Sequence, residues 1–338
     1  MEGHPLILLE GNPIFLLEGK APQFCERGKS VFSLGHLSDL HATPVVVKNP
    51  LQLLNKRFFG WLSWQIRRQH YHRTSVVDAL MDDLSQAPID HLVVTGDLTN
   101  LSLTSEFSAA REGLKRLGGA RDVSIVPGNH DAYVRVAQSR SWSLWSDYFE
   151  SDEAETAVEA SDPRDRFPTL RIRGPLAVVG LCSALPTRLF DASGTLGDAQ
   201  LDRLERMLHG LAERDLCRVI SIHHPVTVGA THPRRWLRDA ESLRSVISRA
   251  GADLVVHGHN HRTLIAEIAG PDGAIPVVGV RSASDIGQRE ERRAQYHVYE
   301  IERNHGSDGP RFRIALRIRG YDLDSGRFCA EDERVLVG

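Results

Sequence analysis

The stretch VFSLGHLSDLH, residues 31–41, changes character midway. An apolar, β-prone run from Val31 to Leu37 gives way to Ser-Asp-Leu-His, with the carboxylate of Asp39 and the imidazole of His41 two residues apart. We read the run as a strand and the polar ending as the loop at its carboxyl end, which is where open α/β sheets bind ligands. The same change recurs at VTGDLTN (94–100), VPGNHD (126–131), SIHHP (221–225) and VHGHNH (256–261). Strand endings of one chemical kind predict that their polar residues converge in space.

Working outward, β-rich runs alternate with helical patterns, as an α/β layered fold requires. Ser75 to Leu84 places Val76, Val77, Leu80, Met81 and Leu84 on one helical face. A strand over His91 to Thr95 precedes a helix that Thr104 can cap, with Phe107, Ala110, Leu114 and Leu117 inward and Gly118-Gly119 as its stop. Val123 to Val126 is a strand, and the polar, acidic region from Ser151 to Arg166 reads as a surface excursion. Strands follow at Leu176 to Cys182, Cys217 to Ile222 and Leu254 to Val256, interleaved with helices for which Asp198 and Asp239 are the expected caps. Ile275 to Val280, Tyr296 to Ile301 and Arg311 to Arg319 make a β-rich tail. No linker divides this pattern, so residues 31–338 are expected to form one domain behind an extension of residues 1–30.

Composition narrows the class. With 338 residues, 41% hydrophobic and 25% charged, the chain can bury a full core, and a formal net charge of -3 gives no global pull toward nucleic acid or anionic membrane. Cys25, Cys182, Cys217 and Cys329 show no C-x-x-C spacing, which suits reduced thiols in a cytoplasmic protein. No apolar run reaches the roughly 20 residues of a spanning helix. Met1 to Lys20 is apolar but lacks a basic start and a cleavage site, so it is not read as a signal peptide. Its tandem echo, PLILLEGN then PIFLLEGK, leaves a start-site extension, an edge hairpin and an oligomer contact all open.

The side chains in the five endings are carboxylates, imidazoles and an amide, without thiolate, a set that suits zinc, manganese or iron. Asp97, with two carboxylate oxygens, can bridge two ions, and the glycines at 96, 128 and 258 allow sharp turns beside the ligands. Two ions a few ångströms apart can bind a phosphoryl oxygen and lower the pKa of a water between them.

Here the sequence resembles the calcineurin-like metallophosphoesterase family, through D-x-H (Asp39, His41), G-D (Gly96, Asp97), G-N-H-D (Gly128 to Asp131), H-H-P (His223 to Pro225) and G-H-x-H (Gly258 to His261), in the family's order. The resemblance implies a four-layer α/β/β/α sandwich of two packed mixed sheets flanked by helices. It assigns Asp39, His41 and His261 to one metal, Asn129, His223 and His259 to a second, and Asp97 to both. It also implies that His130 positions the phosphate and protonates the leaving group, with Asp131 orienting His130, and that metal-bound hydroxide attacks phosphorus. His224 is expected nearby as a supporting group, whereas His36 and His257 read as structural.

The stretch 42–74 lacks acidic residues and carries Lys48, Lys56, Arg57, Arg67, Arg68 and Arg73 among Phe58, Phe59, Trp61, Leu62, Trp64, Ile66 and Tyr71. It is an insertion leaving the ligand edge of the sheet. One reading is an amphipathic helix with a solvated basic face. The others are a cap on the site, with Arg57 and Arg67 meeting an anionic substrate, a contact of residues 48–73 with a lipid surface, and a grip on nucleic-acid phosphates with stacked bases. Arg281, in VGVRSASD, is a further phosphate-contact candidate. The function expected is therefore a dinuclear phosphoester hydrolase, with a phosphodiesterase favoured. The alternatives are a nucleotide-lipid pyrophosphatase at a membrane surface and a non-catalytic protein-binding scaffold on the same fold; nucleic acid is not favoured as a partner.

Overall fold

The computed structural model describes residues 31–41, 43–152, 162–287, 289–304 and 309–338. The extension 1–30 with its tandem echo and Cys25, and residues 153–161 of the acidic excursion, lie outside them. Two six-stranded sheets make the framework. The first is ordered β12-β11-β10-β1-β2-β3, from β1 (Val31–Leu37), β2 (His91–Val94), β3 (Val123–Ile125), β10 (Gln295–Arg303), β11 (Phe312–Asp322) and β12 (Arg327–Val337). The second is ordered β4-β5-β6-β7-β9-β8, from β4 (Thr169–Arg173), β5 (Leu176–Gly180), β6 (Cys217–Ile222), β7 (Leu254–His257), β8 (Leu264–Ala269) and β9 (Ala274–Gly279).

In the first sheet β1, β2 and β3 run parallel, and β10 joins β1 antiparallel. In the second, β5, β6, β7 and β9 run parallel between antiparallel edges β4 and β8. Alternation puts one face of each strand toward the other sheet, so Leu34, Val93, Val178, Val219, Val256, Tyr299 and Ile314 fill the layer between them. On the outer faces, α3 (Thr74–Leu84) and α4 (Thr104–Leu117) bury Val77, Leu80, Phe107 and Leu114 against the first sheet. Likewise α5 (Asp198–Ala212) and α6 (Ala240–Ala250) bury Leu204, Leu208, Leu243 and Ile247 against the second. The layers are thus helix, sheet, sheet and helix, as the resemblance implied.

Three caps differ from expectation. Thr104 begins α4 rather than capping it, and the buried carboxylate of Glu106 accepts from the backbone N–H of Asn100 at 2.7 Å, Leu101 at 2.9 Å and Leu103 at 3.0 Å. Asp239 stands at the start of α6 but sends its carboxylate to Thr195 Oγ1 at 2.7 Å and to the backbone N–H groups of Leu196 and Gly197, ahead of α5. Asp198 is the first residue of α5, and no side chain caps that helix. Glu106 and Asp239 thus spend their carboxylates on backbone donors of neighbouring loops.

The expected insertion is helical. A short 3-10 turn (Pro50–Leu53) leads to α1 (Arg57–Ser63), a π turn (Trp64–Arg68) and α2 (Gln69–Tyr71). It packs closely on the body, because a side chain at Gly60 would lie 2.5 Å from Leu101 Cδ2 and 2.7 Å from the Tyr133 hydroxyl. Among the described residues no helix is long and apolar enough to cross a membrane.

Candidate metal centre

The endings of β1, β2 and β3 from one sheet meet those of β6 and β7 from the other. Backbone bonds set the approach: Asp39 N donates to Gly96 O and His41 N to Asp97 O, each at 3.0 Å. Between the sheets, His259 N donates to Asp39 Oδ2 at 2.9 Å. Gly258 is required by this closeness, since a side-chain carbon there would stand 2.5 Å from Asp39 Oδ2. Gly96 does turn through a positive φ of 91°, while Gly128 packs against it with no room for a side chain.

All seven candidate ligands are brought together. Asp39 Oδ1 lies 3.1 Å from His261 Nε2 and 4.0 Å from His41 Nε2. His223 Nε2 lies 3.1 Å from both Asn129 Oδ1 and His259 Nδ1. Between the two groups stands Asp97, whose Oδ2 is 3.6 Å from His41 Nε2 and 3.5 Å from His223 Nε2, the position of a shared ligand. Five of the seven, Asp39 (φ 52°), His41 (43°), Asp97 (55°), His259 (70°) and His261 (49°), adopt left-handed backbone. That conformation is uncommon for any residue but glycine, although Asp and His tolerate it better than most, and the surrounding hydrogen bonds hold it.

The protonation pattern shows that cations fit here. His223 Nδ1 lies 2.7 Å from Thr95 O and His41 Nδ1 3.2 Å from Thr99 O. A carbonyl only accepts, so both rings carry their proton on Nδ1 and turn a bare Nε2 inward. His223 Nε2 then faces Asn129 Oδ1, and His41 Nε2 faces Asp97 Oδ2, lone pair to lone pair. Such contacts are satisfied by a cation between them, or in its place by a proton held on Asp97. Burial first, and then neighbouring cationic groups, holds His41 and His259 well below the ordinary imidazole range, so they are neutral as metal ligation needs. Burial, then Asp39 and Asp131, pushes Asp97 up, which two bound cations would reverse. For Asp39, burial is opposed by His261 and His223, which together hold its carboxyl below the usual range.

His130 lies beside this centre. Its Nδ1 donates to Asn100 O at 2.6 Å, and Arg68 Nη1 lies 3.0 Å from Nε2 and 3.2 Å from Nδ1, over the ring rather than on either lone pair. Asp131 does not orient this ring as expected. Its carboxylate instead accepts from Gly128 N at 2.9 Å, Thr99 N at 2.9 Å and Thr99 Oγ1 at 3.0 Å, tying the loop after β3 to the loop after β2.

The other substrate-contact candidates are engaged elsewhere. Arg57 is spent on the carbonyls of Leu101 and Ser102, and Arg281 on Glu331 at 2.9 Å and Glu290 O. His224 uses both ring nitrogens, on Ser183 Oγ at 2.8 Å and Ala192 O at 3.0 Å, and packs its ring against His259. Arg67 is exposed beside Arg68. His36 and His257 are buried in their strands, His36 bonded to Thr95 Oγ1 at 2.9 Å.

Three groups at the centre escaped the sequence reading. Arg68 and His72 come from the insertion, and Arg235 donates to His259 O at 3.2 Å. The ring of His72 lies 4.9 Å from that of His41. The spacing of Arg68 and His72, one helical turn, was the available signal for the first two.

A family model described as calcineurin-like phosphoesterase matches residues 32–263. Among solved structures, a dimetal phosphatase from Danio rerio aligns over 90% of this chain and 98% of its own, with a TM-score of 0.53 and 13% identity. Vacuolar protein sorting 29 from Cryptosporidium parvum aligns over 91% and 99%, with a TM-score of 0.40 and 12% identity. The first likeness speaks to the fold. No curated protein matches the chain.

Proposed function

The chain belongs to the calcineurin-like phosphoesterase family, and from that premise we propose that it hydrolyses phosphodiesters in preference to monoesters at a centre of two metal ions. The observation that carries the reading is the shared position of Asp97 Oδ2, midway between His41 and His223. Asp39, His41 and His261 would hold one ion, and Asn129, His223 and His259 the other. Bound there, two cations neutralise the phosphoryl oxygens and make water a stronger nucleophile.

The chain's own groups supply orientation. Thr95 and Thr99 carbonyls fix which nitrogen of His223 and His41 faces the centre. His130 keeps its proton on Nδ1 for Asn100 and holds the Arg68 guanidinium against its ring, so it orients a cation beside the centre. Asp131 braces the loop that delivers Asn129 and His130. The unit that acts is one domain of residues 31–338, because β10 to β12 pair onto β1 and complete its sheet.

Diester preference is supported by the rim. Phe58, Phe59, Leu62 and Ile66 are exposed on the insertion that carries Arg68, and Phe59 lies 6.1 Å from the exposed Phe190. A second ester substituent would find an apolar surface there, and the same strip beside exposed Lys48, Arg67 and Arg73 supports contact with an anionic lipid surface. The test is turnover of bis(p-nitrophenyl) phosphate against p-nitrophenyl phosphate by metal-stripped protein, before and after adding manganese, zinc or iron. Metal-restored diester turnover supports the reading. Preference for the monoester removes the diester assignment, and silence with every metal removes the hydrolase.

A further inference from the structure

The insertion does more than cover the site. Its π turn, Trp64–Arg68, ends on a guanidinium that reaches the ring of His130, with Nη1 at 3.0 Å from Nε2 and 3.2 Å from Nδ1. One turn on, His72 N donates to Arg68 O at 3.1 Å, and the His72 ring packs on those of His41 and His261. A π turn shifts register within a helix, and such turns recur where a side chain must be delivered to a site. Both ends of the insertion are pinned. Arg57 bonds the carbonyls of Leu101 and Ser102, Lys56 bonds Thr187 O at 3.0 Å, and Tyr71 O and Arg73 N pair with Ile286 and Ser284.

Arg68 therefore sits in a fixed place. Among the described residues its hydrogen-bonded partner is an imidazole, and no carboxylate forms an ion pair with it. The half-buried Arg57 and the buried Arg171 and Arg218 instead settle against a carboxylate or several carbonyls. A cation held beside a centre for phosphoryl groups, with most of its five N–H donors unspent, is arranged for an anion that arrives with the substrate.

We propose that Arg68 is a catalytic residue of this chain: its guanidinium contacts the phosphoryl group under attack, and His130 is the positioning residue that aims it. The proposal rests on the hydrolase reading above. As charge develops on the equatorial oxygens of the phosphoryl group, a fixed guanidinium stabilises it without reorganisation, and no proton need leave Arg68. His130 contributes the ring against which Nη1 rests, itself held in place by its Nδ1 proton on Asn100 O.

The experiment compares Arg68→Ala, Arg68→Gln and Arg68→Lys in the metal-loaded full chain, reading kcat and KM on bis(p-nitrophenyl) phosphate, metal content by mass spectrometry, and affinity for inorganic phosphate. Loss of one such donor predicts a fall of about 100-fold or more in kcat for Arg68→Ala and Arg68→Gln, with metal content unchanged. Arg68→Lys falls between them and wild type, and added guanidinium chloride restores part of the Arg68→Ala activity. Arg68→Gln keeps a planar amide against His130 without the charge, so wild-type turnover in that variant, or turnover of Arg68→Ala within about three-fold of wild type, overturns the proposal. Phosphate binding separates the two readings. A wild type silent on both substrates whose phosphate affinity still falls about ten-fold on Arg68→Ala loses the hydrolase reading and keeps the anion contact. Unchanged phosphate affinity removes the contact as well.

Discussion

Replacing Glu106 with glutamine should destabilise this chain far more than the change of one atom suggests. The buried carboxylate answers four donors: Thr43 Oγ1 at 3.0 Å and Asn100 N at 2.7 Å on one oxygen, Leu101 N at 2.9 Å and Leu103 N at 3.0 Å on the other. Glutamine keeps one oxygen, enough for two of these, and turns an NH2 toward the remaining two. Each buried donor left unanswered costs about 1–3 kcal/mol, so the loss is about 2–6 kcal/mol. The damage also reaches the site, because the same loop carries the carbonyls of Thr99 and Asn100 that orient His41 and His130. Urea unfolding of metal-loaded protein measures the first effect, with Glu112→Gln as control. Glu112 pairs with Lys115 on the surface, where such pairs are worth less than about 1 kcal/mol. A Glu106→Gln midpoint that moves no further than the control's refutes the reasoning.

Other outcomes follow from the same geometry. Asp97→Asn, which removes the charge shared by both ligand groups, should lower metal content toward zero on gel filtration, whereas His261→Ala should leave about one ion per chain. Gly258→Ala pushes a methyl group against Asp39 and should weaken metal affinity by about 10-fold or more, read by competition with a chelator. His297 is buried, and burial, then Arg281 and His257, holds its pKa down at about 3. Its folded value lies below the unfolded one, so the folded chain loses stability as pH falls from about 6.5 toward 3, by up to about 1.4 kcal/mol per unit. Denaturation midpoints at pH 6.5 and 5 should differ less in His297→Gln than in wild type, and equal differences would exclude this origin.

Much of the framework was legible because strand, helix and ligand loop each carry a local signature. Val31–Leu37 and Cys217–Ile222 have the bounds read from sequence, and all seven ligand candidates lie at strand ends. What escaped depends on distant partners. β12, RFCAEDERVLV, is a charged and mostly exposed edge strand with no apolar alternation to announce it. Asp239 and Glu106 answer backbone donors in loops that only the tertiary fold brings near. The basic, aromatic character of the insertion was plain, but which arginine faces inward depends on the register shift of the π turn, and Arg68 rather than Arg57 or Arg67 meets the centre. Asp131 misled for a related reason: its neighbour in sequence is His130, while its hydrogen bonds go to the loop after β2.

The left-handed backbone at Asp39, His41, Asp97, His259 and His261 sets the activity of this chain against its thermostability. Glycine accepts those angles freely, and each relaxed position would return about 1 kcal/mol or more to the fold. In metal-free protein, a laboratory selection for heat resistance would therefore act on the centre, enriching glycine or asparagine at these positions while the two sheets stayed intact. Variants stabilised in that way would be inert, and any engineering of this chain must screen for bound metal alongside melting temperature.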